Sequence, residues 1–392
     1  MENGATRSTG ELGGASVRQL RREVISRGLC TGCGTCVAVC PEHCLVIEDV
    51  EPVYSGGCSS CGRCVAACPG EDLPMDALER AAFGAVRPEV GELGFFRSLA
   101  AGYACESGLR EGGTSGGLVT ALLLHLLETG RITGAVVAGF SEDHPWRAAP
   151  LIARTPAQIR SAAGSKYIMC PQNAVLADAE PDDRLALVGL PCQMAGLRKA
   201  AAREGVAGNV VLTVGLFCLS NFLPDATVYI VEEVFGVSLD EVSALGYRDG
   251  SFPGSFTVVT NRGERRSLAY PEAKQHLRMF RPYRCTVCFD WSAELADLSV
   301  GDLWSDPARE AYSAVIVRSR EGEDSLRSAR AEGSIHTEPL EYALVVDNPG
   351  FRYKKRGNRA VIREARRHGL PTPSYPSSLA ADRPLVTTDK GG

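Results

Sequence analysis

The sequence predicts an α/β protein whose body is preceded by a small module built around cysteine. Three observations carry this expectation. Eight of the fifteen cysteines fall into two copies of one pattern, CTGCGTCVAVCP (Cys30, Cys33, Cys36, Cys40) and CSSCGRCVAACP (Cys58, Cys61, Cys64, Cys68). From Gly94 onward short apolar strands alternate with helical stretches, as in a sheet whose strands are linked through helices. Two of those strands, in RLALVGLPC and NVVLTVGLFC, are continuous apolar runs of the kind covered on both faces, and each run ends on a cysteine.

Taken in chain order, residues 1–20 are expected to be disordered, being small and polar up to Gly14, with SVRQLRREVISRG reading as a short helix into the first cysteine loop. The cysteine module spans 21–75, and the seventeen residues between Cys40 and Cys58 suit a hairpin-like link. DALERAAFGAV is a helical connector. In the body, GLVTALLLHLLETG (Gly117–Gly130) has helical length, a glycine stop and a start at Thr114/Ser115, and GAVVAGF (Gly134–Phe140) is a strand. FTVVTN, ADLSVGDLW and YSAVIVRSR supply further strands, and 348–392 reads as the basic helix FRYKKRGNRAVIREARRHG followed by a loose tail.

The length of 392 residues suggests about two to three domains. A formal charge of −5 gives no general reason to expect nucleic acid as a partner. No apolar run has the length of a membrane span, and MENGATRSTGELGG has no apolar core of a secretory signal. Clustered C-x2-C spacing in a chain of this size belongs to metal proteins of a reducing compartment, so a cytoplasmic protein without a membrane partner is expected, with homo-oligomerisation open.

Each cysteine repeat is C-x2-C-x2-C-x3-C-P, the spacing by which a tight loop gives three thiolates to one [4Fe–4S] cubane while the fourth reaches a neighbouring cluster. By this bacterial two-cluster ferredoxin logic, Cys30, Cys33, Cys36 and Cys68 hold one cluster, and Cys58, Cys61, Cys64 and Cys40 the other. Zinc is the competing reading of C-x2-C pairs, but a zinc ribbon has no use for the third and fourth cysteine or the trailing proline. Cys192, Cys218, Cys285 and Cys288, from GLPCQ, GLFC and YRCTVC, form a further candidate metal set. Two follow strands and two share a C-x2-C loop; the alternative is that Cys192 and Cys218 are buried structural thiols.

Gly112, Gly113, Ser115, Gly116 and Gly117 let backbone pass close to a ligand and open a helix whose N–H groups face an anion, or else form an ordinary glycine turn. Several residues carry a plainer reading. Cys44, Cys105 and Cys170 are expected to pack, His43 to lie on a loop surface and His125 to pack within its apolar helix. Lys354, Lys355, Arg356, Arg359, Arg363, Arg366 and Arg367 are expected to form a solvated face, able to attract anionic partners.

GGTSGGLVTALLLHLLETGRITGAVV, GSKY, VGLPCQMAGLRK, GLFC, GYRDGSFPG and CTVCFDWSAELADLSVGDLW, in this order, resemble the beta-subunit family of coenzyme F420-reducing hydrogenases and F420-dependent dehydrogenases. The resemblance covers about Arg21–Asp347; Leu190 stands where the family usually has Thr before Pro-Cys-Gln. It implies a bacterial two-cluster ferredoxin-like module followed by an α/β flavoprotein body of N-terminal (94–180) and C-terminal (181–347) beta-subunit domains. It further implies FAD, a third [4Fe–4S] cluster on Cys192, Cys218, Cys285 and Cys288, and coenzyme F420 as co-substrate. Thr114, Ser115, Gly116 and Gly117 become the FAD pyrophosphate turn, and Lys166 and Tyr167 further cofactor-binding residues. Tyr167, Arg248 and Asp302 belong to matching blocks as residues lining the cleft or holding strands.

A flavin accepts a hydride and releases electrons singly, whereas each cubane carries one. The leading expectation is therefore an F420-dependent iron–sulfur flavin oxidoreductase that reduces a small molecule or an electron carrier. The rivals are a ferredoxin-dependent reductase of an organic substrate, like 7-hydroxymethyl chlorophyll a reductase, and an electron-relay subunit of a larger complex.

Overall fold

The computed structural model describes residues 13–86, 92–204, 208–306 and 311–376. Helical residues Ala15–Leu20 run on into Arg21–Ile25 and bury Val17, Leu20 and Val24, an apolar stripe at helical spacing. The disorder expected of 1–20 therefore does not reach Ala15–Leu20, while 1–12 lie outside the described residues. Each cysteine repeat ends in one helical turn, Thr35–Ala38 or Arg63–Ala66, entered through a left-handed glycine, Gly34 at φ 83° or Gly62 at φ 81°. The same sequence pattern folds the same way twice. Between the turns β1 (Leu45–Glu48) and β2 (Glu51–Tyr54) pair antiparallel as the expected hairpin, and helix Met75–Phe83 leads away.

The body is built on one eight-stranded sheet. Its strands are β3 (Ser98–Ala104), β4 (Gly134–Phe140), β5 (Ala148–Ala153), β6 (Leu185–Gly189), β7 (Val210–Leu216), β11 (Leu298–Asp302), β12 (Ser313–Val317) and β13 (Ile335–Pro339). Their order is β13-β3-β12-β11-β7-β6-β4-β5, with β11, β7, β6 and β4 mutually parallel at the centre. Parallel strands end on the same edge, so the segments leaving β6, β7 and β11 emerge side by side, where ligand groups gather in such sheets. The division at 180/181 falls inside this sheet, because β3, β4 and β5 precede it and the other strands follow it. FTVVTN lies instead in a separate antiparallel sheet of β8 (Val242–Asp249), β9 (Ser255–Thr260) and β10 (Arg265–Ala269).

Two boundaries differ from expectation for physical reasons. The apolar helix Leu118–Glu128 is entered at Gly117 with no side-chain cap, because Thr114 and Ser115 are bonded elsewhere, to Ser165 and Ser313. The tail is not loose up to Pro376. Ser374 exchanges backbone hydrogen bonds with Glu71 and Leu73, and the Tyr375 hydroxyl donates to the Val287 carbonyl at 2.7 Å, tying module, body and C-terminal segment together.

Gly116 and Gly117 sit at φ 59° and 64°, and a Cβ on Gly117 would lie 2.2 Å from the Leu109 carbonyl oxygen, whereas one on Gly112 would meet nothing within 4 Å. Gly117→Ala is therefore expected to lower unfolding free energy by about 1–3 kcal/mol through backbone strain. Gly112→Ala should stay within about 0.5 kcal/mol of the parent. Parallel denaturant titrations of the two variants check this, and equal stabilities would show that the turn relaxes freely.

Candidate metal centre

Thiols of the two repeats lie close enough to act on one another, Cys68 and Cys64 on Cys36 and Cys40 on Cys64. Burial pushes the Cys30 and Cys68 thiols up to about 12 and Cys36 well above its ordinary value, and the neighbouring thiols adding to this are Cys33, Cys30 and Cys68. Cys64, raised to about 11 by burial, is further raised by Cys40, Cys58 and Cys61. Backbone amides point at the sulfurs: Gly32 N–H at Cys30 Sγ, Ser60 N–H at Cys58 Sγ and Gly70 N–H at Cys68 Sγ, each at 3.4 Å. Such donors stabilise thiolate charge and are one of the levers that set cluster potentials. Cys44, expected only to pack, belongs to the second site's surroundings. Its Sγ lies 3.3 Å from Cys40 Sγ and its N–H points at the same sulfur at 3.3 Å, while its side chain also hydrogen-bonds Cys58. A cysteine four residues past a ligand was the available signal. Cys105, also expected to pack, is exposed, and His43 is exposed at φ 50°.

The third set also converges. Cys192 lies in the first turn of helix Pro191–Glu204 just past β6, Cys218 two residues past β7, and Cys285 and Cys288 at the turn Tyr283–Thr286. All four line one cavity together with Cys30, Thr31 and the buried Cys170. Burial raises Cys192 well above its ordinary value, and Cys33, Cys218, Cys285 and Cys288 raise it further. Among the described residues no three such donors close on a single-ion site. Buried thiols that repel one another's charge suit a cationic core that deprotonates them all. The donor set therefore fits a cluster at each of the three places.

One helix joins the third site to the module. Along Pro191–Glu204, residues 192, 196, 199 and 200 share a face at helical spacing. A Cβ on Gly196 would lie 2.2 Å from Thr35 Oγ1 and 3.5 Å from Cys33 Sγ, so only glycine admits the module this closely. Lys199, 5 % exposed, donates from Nζ to the Cys68 carbonyl at 2.7 Å and the Asp72 carbonyl at 2.9 Å and pairs with the Asp72 carboxylate. Ala200 packs on Val39 and Ala67. Asn173, fully buried, donates through Nδ2 to Thr35 Oγ1 at 2.8 Å and to the Gln193 carbonyl at 2.9 Å, while its N–H donates to the Cys33 carbonyl. Gly196, Lys199 and Asn173 escaped the sequence reading, although counting turns from Cys192 would have found the first two.

The basic C-terminal segment is helical over Arg352–Gly357 and Asn358–Arg367, but it is not a solvated face throughout. Lys354 and Lys355 are 2 % and 1 % exposed. Lys354 Nζ donates to the Cys218 carbonyl at 2.8 Å, and one turn later Asn358 Nδ2 donates to the carbonyls of Cys285 at 3.2 Å and Cys288 at 2.7 Å. Asn358, Ile362 and Ala365 continue this buried stripe. Lys354 faces the third thiol set because it lies on that stripe and not on the polar side of the helix.

The residues expected at a cofactor are brought together in part. Thr114 Oγ1 accepts from Ser165 N–H at 3.0 Å and lies 3.1 Å from Ser165 Oγ, joining the glycine turn to GSKY. Gly116 and Gly117, however, closely approach the protein's own backbone at Ala311 and Leu109, and of the turn's glycines Gly112 faces open space. Lys166 Nζ is spent on the carbonyls of Ala162, Ala163 and Gly164 at 2.6, 3.0 and 3.2 Å, and burial lowers its pKa to about 8. The Tyr167 hydroxyl lies 3.4 Å from Arg248 Nη1, which also pairs with Asp302 at 2.5 Å and so links the end of β8 to the end of β11. Arg248, ringed by Phe252, Tyr270 and Trp304, has a buried Nη2 without a hydrogen-bond partner among the described residues. His125 packs as expected, with Nε2 2.8 Å from Ser328 Oγ.

Comparison with known proteins places this geometry. Residues 99–177 match the family model described as coenzyme F420 hydrogenase/dehydrogenase, beta subunit N-term, and 182–343 the one described as its C terminus. The chain belongs to the coenzyme F420 hydrogenase/dehydrogenase beta-subunit family. Residues 23–46 match a 4Fe-4S binding domain, which spans the first cysteine repeat. The coenzyme F420 hydrogenase subunit beta of Methanosarcina barkeri is 35% identical over 58% of this chain and 76% of its own length, and that of Methanothermobacter thermautotrophicus 29% identical over 72% and 99%. The coenzyme F420-dependent sulfite reductase of Methanocaldococcus jannaschii is 27% identical over 81% of this chain and 49% of its own length. Among solved structures, a chain of the F420-reducing [NiFe] hydrogenase complex from Methanosarcina barkeri superposes with a TM-score of 0.58 at 28% identity, covering 73% of this chain and 97% of that one. Among the described residues no helix is long and apolar enough to cross a membrane.

Anaerobically reconstituted protein is expected to carry about twelve iron atoms, by three cubanes of four. Cys285→Ser should drop this to about eight, and Cys44→Ser should leave it at about twelve because Cys44 supports a ligand without being one. Iron and sulfide analysis of the three proteins checks both counts; a Cys44→Ser protein that loses about four irons would make Cys44 a ligand.

Proposed function

We propose that this protein is an iron–sulfur flavin oxidoreductase that takes electrons from reduced coenzyme F420 and passes them singly through three [4Fe–4S] clusters to a small molecule or electron carrier. Family membership and the names of the relatives support F420 as the hydride carrier. The carrying observation is the shared cavity: Cys192, Cys218, Cys285 and Cys288 face the same space as Cys30 and Thr31, so the body's cluster adjoins the first cluster of the module. Cys61, exposed at the second set, then marks the outer end of the path.

The electron count calls for a two-to-one converter, and FAD, when bound, supplies that chemistry. We assign its pocket to the region where Thr114 meets Ser165 and where Tyr167 and Arg248 lie near each other. Thr114 and Gly112 present the open rim of the glycine turn, and the unpartnered Arg248 Nη2 offers a fixed donor to a negatively charged group. The Phe252, Tyr270 and Trp304 rings around Arg248 hold the guanidinium in place and shield it from water. A second reading, a relay subunit within a larger assembly, is favoured by the solved match, which is one chain of a hydrogenase complex.

Cys285→Ser separates these parts. With reduced F420 added under anaerobic conditions, the parent's N-terminal clusters should give a reduced EPR signal within the mixing time, and the variant's should stay oxidised while its flavin absorbance still bleaches. Equal cluster reduction in both proteins would overturn the three-cluster path. Bleaching by reduced ferredoxin and not by F420 would replace the F420 assignment with a reductase running in the opposite direction.

A further inference from the structure

Two adjacent lysines of one helical segment are buried, and of the two Lys354 lines the cavity of the third thiol set. Lys355 is 1 % exposed and forms an ion pair with Glu294, itself fully buried. Lys354 is 2 % exposed, yet its Nζ donates to a neutral acceptor, the Cys218 carbonyl, at 2.8 Å. Burial works against its charge, while the thiols of Cys218, Cys288 and Cys285 and then Asp290, whose carboxylate accepts from the Glu294 N–H at 3.2–3.3 Å, favour it and on balance raise its pKa. A buried ammonium without a counter-charge is strongly unfavourable, so a lysine held here requires an anion within reach. A cubane with four thiolates is that anion in either oxidation state, and it gains one more negative charge on reduction.

Arg284 lies at the same cavity, 3 % exposed, with Nε lacking a hydrogen-bond partner among the described residues. Its Nη2 donates to the Pro69 carbonyl at 3.4 Å, directly after the first-cluster ligand Cys68, so the guanidinium stands between the two sites. The N-terminal sets are placed differently. Lys199, the buried lysine beside Cys68, has its charge taken by Asp72. Fixed, dry cations beside a cluster favour its more negative, reduced form, and net charge near a cluster is one of the quantities that set its potential.

We propose that Lys354, assisted by Arg284, is the built-in counter-ion of the third cluster and holds its reduction potential up, so that electrons collect there between the hydride site and the N-terminal clusters. Lys354 is a positioning residue in this scheme; it donates no proton and binds no iron. The proposal rests on the reading of Cys192, Cys218, Cys285 and Cys288 as a cluster, and the experiment separates the two.

The test is an EPR-monitored redox titration of the reconstituted full chain, with the third cluster's signal taken as the difference between parent and Cys285→Ser. In Lys354→Met the reduction equilibrium of that cluster should shift at least about tenfold toward the oxidised form, which is about 59 mV for a one-electron couple. The N-terminal clusters should titrate as in the parent, and Lys354→Arg should restore most of the shift. Where Lys354→Met does not assemble the third cluster, Arg284→Gln provides the comparison, with a smaller shift in the same direction expected. A fully loaded variant whose third cluster titrates like the parent's would overturn the counter-ion proposal. A parent with no third signal to subtract would instead overturn the cluster reading beneath it.

Discussion

How closely helix Pro191–Glu204 approaches the cysteine module sets the geometry of the whole redox core, and Gly196 sets that approach. The helix carries Cys192 in its first turn, presents a bare backbone to Thr35 and Cys33 one turn later, and one turn further on clamps the Cys68 loop with Lys199. Any side chain at 196 would press against the loop that wraps the first cluster, while Lys199 and Asn173 tie that loop by hydrogen bonds made to its backbone carbonyls and to Thr35. The parallel strands β6 and β7 fix where the helix and Cys218 start, which is how the sheet reaches the chemistry.

Charge is the second constraint. Across the three sets, burial and the neighbouring thiols hold Cys30, Cys36, Cys68 and Cys192 above their ordinary pKa values. Such an arrangement is unfavourable without a cationic core and becomes favourable with one, so cluster insertion and docking of module on body are coupled. At the third set the buried lysine donates to a carbonyl, with Asp290 acting on it after the three thiols, and Cys288 is a buried thiol whose pKa falls because Lys354 and Arg284 outweigh its desolvation. The C-terminal segment matters here as much as the sheet: Lys354, Asn358 and Tyr375 each reach back to the loop carrying Cys285 and Cys288 or to its cavity.

Local rules made much of this legible in the sequence. Repeated spacing pointed to two like cysteine loops, which the chain forms around Gly34 and Gly62, and continuous apolar runs pointed to β6 and β7 with a cysteine after each. What stayed hidden depends on which face of an element turns inward. The charges of FRYKKRGNRAVIREARRHG suggested a solvated helix, and nothing local reveals that a cavity of thiolates awaits Lys354 on its inner face. The glycine turn misled in the other direction. Gly116 and Gly117 have the left-handed backbone of a ligand loop, but the close approach they permit is to Ala311 and Leu109. Cys44 was legible from its place four residues past Cys40, whose sulfur it meets at 3.3 Å; its contact with Cys58 was not.

In the proposed path the body's cluster and the first cluster of the module are immediate neighbours. Magnetic coupling between them tests this most directly. In the fully reduced protein, EPR spectra of the third cluster and of the cluster on Cys30, Cys33, Cys36 and Cys68 should be broadened and split by spin–spin interaction, and Cys285→Ser should return the module's spectrum to its simpler form. If the parent's spectrum is the plain sum of the variant's spectrum and an isolated third signal, the two clusters are not adjacent and the account fails.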